Sequence, residues 1–225
     1  MKAVILAAGR GKRFGDLTLR VPKPLILVGK KPLIAHVFDN LPECITEYLV
    51  IIGYLGDMIK ETLGSKYRGK PIRYVWQEKS GTGGALLSAK SLLSKEERFF
   101  VIGSDDIFGR GELGKLIQDW PTYGVHYGSL NKLSKVRVLL GQGNFFKGFE
   151  AVSDATAQGY RGVGAYVLPR ECLQVEMYKL NNGEISLPHS LSGMKFPIKT
   201  VEIDNWFPVN DEYERGIAER ILRKI

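Results

Sequence analysis

Four short, nearly uninterrupted apolar runs restrict the folds open to this chain: Ala3–Ala8, Tyr48–Tyr54, Arg73–Trp76 and Phe99–Gly103. They lack apolar–polar alternation, so each reads as a strand buried on both faces, as in a parallel sheet covered by helices. Helical candidates fall between or after them, at Pro32–Leu41, Asp57–Leu63, Gly84–Leu93 and Glu112–Trp120. Pro32 suits a first helical turn, where its missing N–H costs little. This alternation of strand and helix is the signature of βαβ units. The expected class is α/β: a Rossmann-like, three-layer α/β/α arrangement on a mostly parallel central sheet. Right-handed crossovers would align the loops after strands one, three and four along the carboxyl edge, where ligands bind in such sheets. Those loops are Gly9–Lys23, Gln77–Gly84 and Ser104–Gly109.

The pattern changes after residue 120. Tyr123–Leu130, Val136–Leu140, Phe145–Ala151 and Gly164–Leu168 read as strands joined by polar or glycine turns such as Gly141-Gln142-Gly143-Asn144. They predict an antiparallel excursion from the same sheet. Thr200–Ile203 resembles a last strand, and Asp211–Arg223 a closing helix with Ile217, Ile221 and Leu222 turned inward. There is no internal repeat and no linker, so a single domain is expected over residues 1–225. A chain of 225 residues with 44% hydrophobic and 25% charged side chains can bury a core without disulfides or metals. That composition excludes disordered, collagenous and coiled-coil classes. Cys44 and Cys172 form neither a disulfide framework nor a C-x-x-C pair, which fits a reducing compartment. The opening MKAVILAAGRG is too short an apolar stretch for a signal peptide, and no segment approaches the roughly 18 apolar residues of a membrane span. A cytoplasmic protein without a membrane partner is expected. Thirty-two Lys and Arg against 24 Asp and Glu leave a net charge of +8, which can attract nucleic acid or a small polyphosphate. The basic residues are scattered, so nucleic acid is not the expected partner.

The most informative segment is Leu6-Ala7-Ala8-Gly9-Arg10-Gly11-Lys12-Arg13-Phe14, followed by Pro22-Lys23-Pro24. Small residues let the backbone turn tightly and approach a ligand, and successive N–H groups in such a turn can cradle phosphate oxygens. Arg13 can add a forked donor and Lys23 a point charge. The segment lacks the third glycine and the acidic residue of a dinucleotide fingerprint, and the G-K-[ST] of a Walker loop. Taken alone, it is equally a tight turn with surface arginines. Two further segments carry chemistry. Gln77-Glu78-Lys79-Ser80-Gly81-Thr82-Gly83-Gly84-Ala85 follows a strand and opens a helix, with an amide able to read a base edge or with Thr82 as a simple N-cap. Phe99–Ser104 then drives an apolar strand into Asp105 and Asp106, carboxylates that need a partner or a cation unless the turn is exposed. His36, His126 and His189 form no triad or zinc spacing.

Leu6–Arg13 with Pro22–Pro24 resembles the N-terminal signature of the sugar-1-phosphate nucleotidylyltransferases, L-A-A-G-x-G-[TK]-R and then P-K-P; Lys12 stands where many members have threonine. The resemblance implies a nucleoside triphosphate across Leu6, Ala8, Gly9, Gly11 and Lys12, with Arg13 and Lys23 on its phosphates. It implies that Gln77 reads a pyrimidine while Gly81 and Thr82 close around base and ribose. It also implies Mg²⁺ on Asp105, with Ser104 where a glycine is common. Trp206-Phe207-Pro208-Val209-Asn210-Asp211 resembles a W-x-D-[VI]-G-T segment with Pro208 at the ligand position, and also a G-V-N-[NDT] version that makes Asn210 the second ligand. Asp204 is the alternative, and Asn210 can equally cap the last helix.

On the acceptor side the likeness thins. Glu150 is followed by Ala151 rather than lysine, and Gly162-Val163-Gly164 replaces an asparagine motif, while Gly183-Glu184 matches a later G-E. Asp106, Glu150, Gly164 and Glu184 are the implied acceptor contacts, with Lys147 as a substitute charge. Residues 1–120 would be the nucleotide half and 121–225 the acceptor half. The implied activity is Mg²⁺-dependent transfer of a nucleoside monophosphate from a pyrimidine triphosphate to a sugar 1-phosphate or other phosphomonoester, releasing pyrophosphate. Cytidylyl transfer to an alcohol phosphate such as phosphocholine, and a non-catalytic nucleotide-binding regulatory domain, are the alternatives. Family members often form homo-oligomers or carry a β-helix; a chain ending at Ile225 leads us to expect no β-helix here.

Overall fold

Burial sets the centre of the sheet. In the computed structural model, which describes residues 1–130, 136–154 and 156–222, the first half runs β1 (Lys2–Leu6), α1 (Leu17–Arg20), β2 (Leu27–Val28), β3 (Lys31–Pro32), α2 (Leu33–Asn40) and β4 (Glu47–Ile52). It continues with α3 (Gly56–Leu63), β5 (Lys66–Tyr67), β6 (Lys70–Trp76), α4 (Thr82–Ser88), β7 (Arg98–Gly103) and β8 (Asp106–Phe108). Strands β7, β1, β4 and β6 are adjacent and parallel, with Val4 between Leu49 and Val101. Their side chains alternate between two cores. Ile5, Val50, Ile52, Phe100 and Ile102 pack with Ile34, Val37 and Phe38 of α2 and Ile59 of α3. Val4, Leu49, Ile51, Phe99 and Val101 pack with Ala85 and Leu86 of α4 on the opposite face. This is the expected three-layer α/β class. The third apolar run departs from expectation: only the short β5 lies beyond β6, so Trp76 is half exposed and Ile72 alone is buried there.

The second half comprises β9 (Thr122–Ser129), β10 (Val136–Leu140), β11 (Phe146–Ala151), β12 (Gln158–Pro169), α5 (Leu187–Ser190), β13 (Lys199–Glu202), β14 (Trp206–Pro208) and α6 (Glu212–Leu222). Strand β12 runs antiparallel to β7, Tyr166 opposite Val101, and also pairs antiparallel with β9 and β10. The antiparallel excursion therefore continues the same sheet, except that β13 lies parallel to β9.

Several local expectations change. Glu112–Trp120 forms only a 3-10 turn over Glu112–Leu116, entered through Gly111 and interrupted by Gly114. Gly84–Leu93 divides into α4 and a 3-10 turn at Lys90–Leu93. The Gly164–Leu168 strand is the second part of β12, whose first part is masked in the sequence by Gly159 and Gly162. The inner face of α6 centres on buried Ala218 with Leu222 beside it, while Ile217 and Ile221 are half-buried; the expected end at Arg223 lies outside the described residues. Among the described residues no helix is long and apolar enough to cross a membrane.

One unanticipated element shapes the site. Strands β8 and β14 form an antiparallel ribbon, with Trp206 opposite Phe108 and Pro208 opposite Asp106. Buried Glu112 holds the loop that enters it: its Oε1 accepts from Asn205 Nδ2 at 2.8 Å, and its Oε2 from the Asp204 N–H at 3.1 Å. The ribbon thus carries the segment after β7 to the segment before α6. Because Phe100 is wholly buried in the central strand β7, Phe100→Ala should lower the unfolding free energy by about 3–5 kcal/mol in urea titration. A cost under about 1 kcal/mol would show that this strand is not central to the core.

Candidate functional site

The loop after β1 turns at Gly11, where φ is +63° and a β-carbon would come within 2.8 Å of the Lys23 Cβ. Only glycine suits both conditions. Beyond it, Lys12–Phe14 forms a 3-10 turn anchored by the buried Phe14 ring, which leaves Arg13 free to reach across and donate to Asn210 Oδ1 at 2.8 Å. Lys23 follows Pro22 at the start of another 3-10 turn and is almost entirely buried. Its Nζ donates to Asp105 Oδ2 at 2.5 Å and, more loosely, to Asn210 Oδ1 at 3.4 Å.

Asp105 projects from the end of β7 because Ser104, itself buried, donates through Oγ to the Leu6 carbonyl at 2.9 Å. That bond ties the β7 exit to the β1 exit and gives serine a structural role where a glycine is common. Asp106 accepts from Trp206 Nε1 at 2.8 Å across the ribbon. Burial and the neighbouring Asp105 charge raise its pKa well above the ordinary carboxylate range. Asn210 does not cap α6. Asp211 takes that role, accepting from the Glu214 N–H at 2.8 Å, while Glu214 Oε2 accepts from the Asn210 N–H at 2.7 Å. The Asn210 side chain is thereby left to the site.

The opposite wall is stitched from two segments. Gln77 Nε2 donates to the carbonyls of Lys79 (2.7 Å) and Gly81 (3.0 Å), so this side chain shapes its own loop. Gly81 has φ +89°, and a β-carbon there would stand 2.2 Å from the Ile185 carbonyl oxygen. Ile185 N–H donates to the Ser80 carbonyl, and Gly83 N–H to the Ile185 carbonyl, both at 2.9 Å. Thr82 is not the cap of α4; its Oγ1 accepts from the Leu187 N–H at 3.0 Å. These bonds draw Glu184 into the cleft.

The result is a cleft of about 640 Å³ at the carboxyl edge of the sheet. Leu6, Ala8, Gly9 and Arg13 line one side, Gln77, Gly81 and Thr82 another. Asp105, Asp106, Gly164 and Glu184 complete it. A recess of about 300 Å³ shares Arg13, Asp105, Asp106 and Gly164, and adds Arg161, Trp206, Asn210 and Glu214. Gly11 and Lys12 do not line the cleft, and Lys23 lies beneath it.

Three further expected residues are elsewhere. Glu150 is exposed on the β10–β11 hairpin and pairs with Arg137, and nearby Lys147 is also exposed. Asp204 is held 2.6 Å from Lys115, so the alternative of Asp204 in place of Asn210 has no geometric support. Arg161, Tyr166, Ser186 and Glu214 were not anticipated. Nothing in the sequence flagged Arg161 beyond its being a cation just before two glycines in an apolar stretch.

Asp105 and Asn210 offer hard oxygen donors that already share one ammonium group. This set fits Mg²⁺, which binds through few protein oxygens together with substrate phosphates and water. Among the described residues no three His, Cys, Asp or Glu side chains gather into a metal cage.

A glycine loop, two carboxylates and paired cations thus meet at the carboxyl edge of an α/β sheet. The nucleotidyl transferase family model matches residues 2–133, and the chain belongs to that family. It is 38% identical over 120 residues to the UTP–glucose-1-phosphate uridylyltransferase AglF of Haloferax volcanii, covering 52% of this chain and 48% of that protein. It is 37% identical over 112 residues to mannose-1-phosphate guanyltransferase beta-B of Xenopus laevis, covering 48% and 31%. The match thus spans about half, or less, of the length of these relatives. Two solved structures share the fold: a UDP-glucose pyrophosphorylase complexed with UDP-glucose (TM-score 0.81, 20% identity, 99% of this chain and 98% of that one) and the UDP-glucose pyrophosphorylase of Acinetobacter baumanii (TM-score 0.80, 20% identity, 97% and 91%).

The stitched wall generates one prediction. Gly81→Ala forces a methyl against the Ile185 carbonyl in a strained backbone conformation. It should cost about 1–3 kcal/mol of stability in denaturant titration. It should also raise amide exchange at Gly83 and Ile185, and unchanged exchange there would refute the proposed latch.

Proposed function

We propose that the cleft transfers a nucleoside monophosphate from a pyrimidine nucleoside triphosphate to a sugar 1-phosphate and releases pyrophosphate. The observation that carries this reading is the convergence of Arg13, Lys23, Asp105 and Asn210 from separate segments onto one point where the recess joins the cleft that Gln77 also lines. The names of the family relatives support transfer to a sugar 1-phosphate, and the uridylyltransferase among them supports a pyrimidine nucleotide.

In this reaction an oxygen of the acceptor phosphate bonds to the α-phosphorus as the α–β anhydride bond breaks, and the electron pair leaves with pyrophosphate. The nucleophile is already anionic, so no general base is needed, and the work lies in bringing two anions into line. The backbone around Gly9 and the Arg13 fork hold the polyphosphate, while the buried Lys23 ammonium supplies a fixed positive charge. Mg²⁺, held by Asp105 and Asn210, would neutralise phosphate charge when bound. Asp106, occupied with Trp206 Nε1, keeps the recess wall in place.

Gln77 narrows the nucleotide. Both hydrogens of its Nε2 are directed at backbone carbonyls, which leaves Oε1 as the group free to meet a base. An acceptor oxygen suits the ring N–H of uracil or thymine, which cytosine lacks at that position. Among the pyrimidine nucleotides this favours UTP or dTTP and weighs against cytidylyl transfer to an alcohol phosphate.

The test is pyrophosphate release from UTP, dTTP, CTP and GTP, each crossed with glucose 1-phosphate, mannose 1-phosphate and phosphocholine in the presence of Mg²⁺. Release with UTP or dTTP and a sugar phosphate is expected. Nucleotide binding without release from any pair would make this a regulatory domain. Asp105→Asn should lower turnover about 100-fold or more. The protein should remain folded, because the amide oxygen can still accept from Lys23. Gln77→Ala should raise KM for the nucleotide more than for the acceptor, and equal KM values in variant and parent would remove Gln77 from base recognition.

A further inference from the structure

We propose that Arg161 forms a phosphate-binding subsite in the recess beside Trp206, for the phosphate of the acceptor or the pyrophosphate end of the nucleotide. The inference rests on the nucleotidyl-transfer reading and adds a residue to it.

Arg161 lies on β12 opposite His126, and its guanidinium carbon stands 4.7 Å from the centre of the Trp206 ring. That stack fixes the plane of the fork. The Arg161 Nε is buried and has no hydrogen-bond partner, and among the described residues Arg161 forms no ion pair. A buried charged donor left in this state is destabilising and requires an explanation.

The neighbouring carboxylates do not provide one. Asp106 Oδ2 takes the Trp206 indole N–H at 2.8 Å, and Glu214 Oε2 takes the Asn210 N–H at 2.7 Å. Burial pulls the Arg161 pKa below the ordinary guanidinium value, and the charges of Glu214 and Asp106 oppose that shift without engaging its donors. Arg13 lines the same recess, so two guanidinium forks border a space of about 300 Å³ beside Asp105. Two forks around one space match a phosphate group, whose oxygens accept paired N–H bonds.

Ala151 stands where the resemblance leads one to expect lysine, and Glu150 and Lys147 are exposed on the distant hairpin. Arg161 is the charge that β12 delivers to the recess.

The experiment compares the full chain with Arg161→Gln and Arg161→Lys. Isothermal titration in EDTA uses pyrophosphate, glucose 1-phosphate and UTP as separate probes, with near-ultraviolet circular dichroism to verify folding. Arg161→Gln should weaken at least one probe about 10- to 100-fold, and Arg161→Lys should fall between it and the parent because the charge survives without the fork. Loss confined to glucose 1-phosphate assigns the subsite to the acceptor; loss of pyrophosphate and UTP together assigns it to the leaving group. Unchanged affinity for all three probes in folded variants overturns the proposal. Should Arg161→Gln misfold, Arg161→Lys decides by the same criterion. A parent that releases pyrophosphate while both variants bind normally sinks the subsite alone. A parent that binds pyrophosphate through Arg161 but releases none from any substrate pair sinks the transfer reading alone.

Discussion

Lys23 donates from inside the protein to a carboxylate and an amide that lie 82 and 187 residues away along the chain. A buried ammonium is tolerated only when oxygen atoms replace its lost water, so burying Lys23 obliges Asp105 and Asn210 to come together. The energetic worth of the pair is modest, because the Asp105 side chain remains 35% exposed and solvent screens it. Its value is positional. The glycine loop, the exit of β7 and the approach to α6 have no reason of their own to meet, and one interior cation gives them a common centre.

The sheet makes that meeting cheap. Because β7, β1, β4 and β6 are parallel, their carboxyl ends open on one edge, and the chain reaches the site three times without a long excursion. Ser104 joins two of those exits directly through the Leu6 carbonyl. The β8–β14 ribbon then brings in the distant C-terminal segment, and buried Glu112 fixes the loop that starts it. A substrate-sized opening survives because its walls are held from behind: Lys23 lies beneath one, and the Ser80–Ile185 backbone bonds lie behind the other.

What the sequence revealed follows the length of each signal. Ala3–Ala8, Tyr48–Tyr54 and Phe99–Gly103 are long enough and apolar enough to announce central strands, and all three form them. The ribbon was illegible because Asp106–Phe108 and Trp206–Pro208 are three residues each, with a proline in one. Glu112–Trp120 has helical spacing, but Gly111 and Gly114 favour a tighter turn, and the buried Glu112 carboxylate serves the loop at Asn205. The position of Glu150 depended on the register of a hairpin, and the slip between Leu139 and Leu140 together with Gly148 makes that register irregular. Arg161 was hidden for a different reason: its importance lies in a missing partner, and only coordinates reveal a partner's absence.

The distribution of charge bears on how a polyphosphate would be held. The chain carries +8 overall, yet the cleft and its recess set Arg13, Lys23 and Arg161 against Asp105, Asp106, Glu184 and Glu214. Burial and the Asp105 charge push the Asp106 pKa up, and the cations and carboxylates at the site are similar in number. General attraction can bring a nucleotide to the surface, but it cannot retain several phosphate charges in a near-neutral pocket. On the proposed reading, retention there falls to directed donors such as the Arg13 fork. Asp105 and Asn210 are the residues that would hold a divalent cation, which would neutralise phosphate charge beside the buried Lys23 ammonium. The Lys23–Asp105 pair holds that ammonium in place beneath the cleft, so its positive charge does not depend on which anion enters.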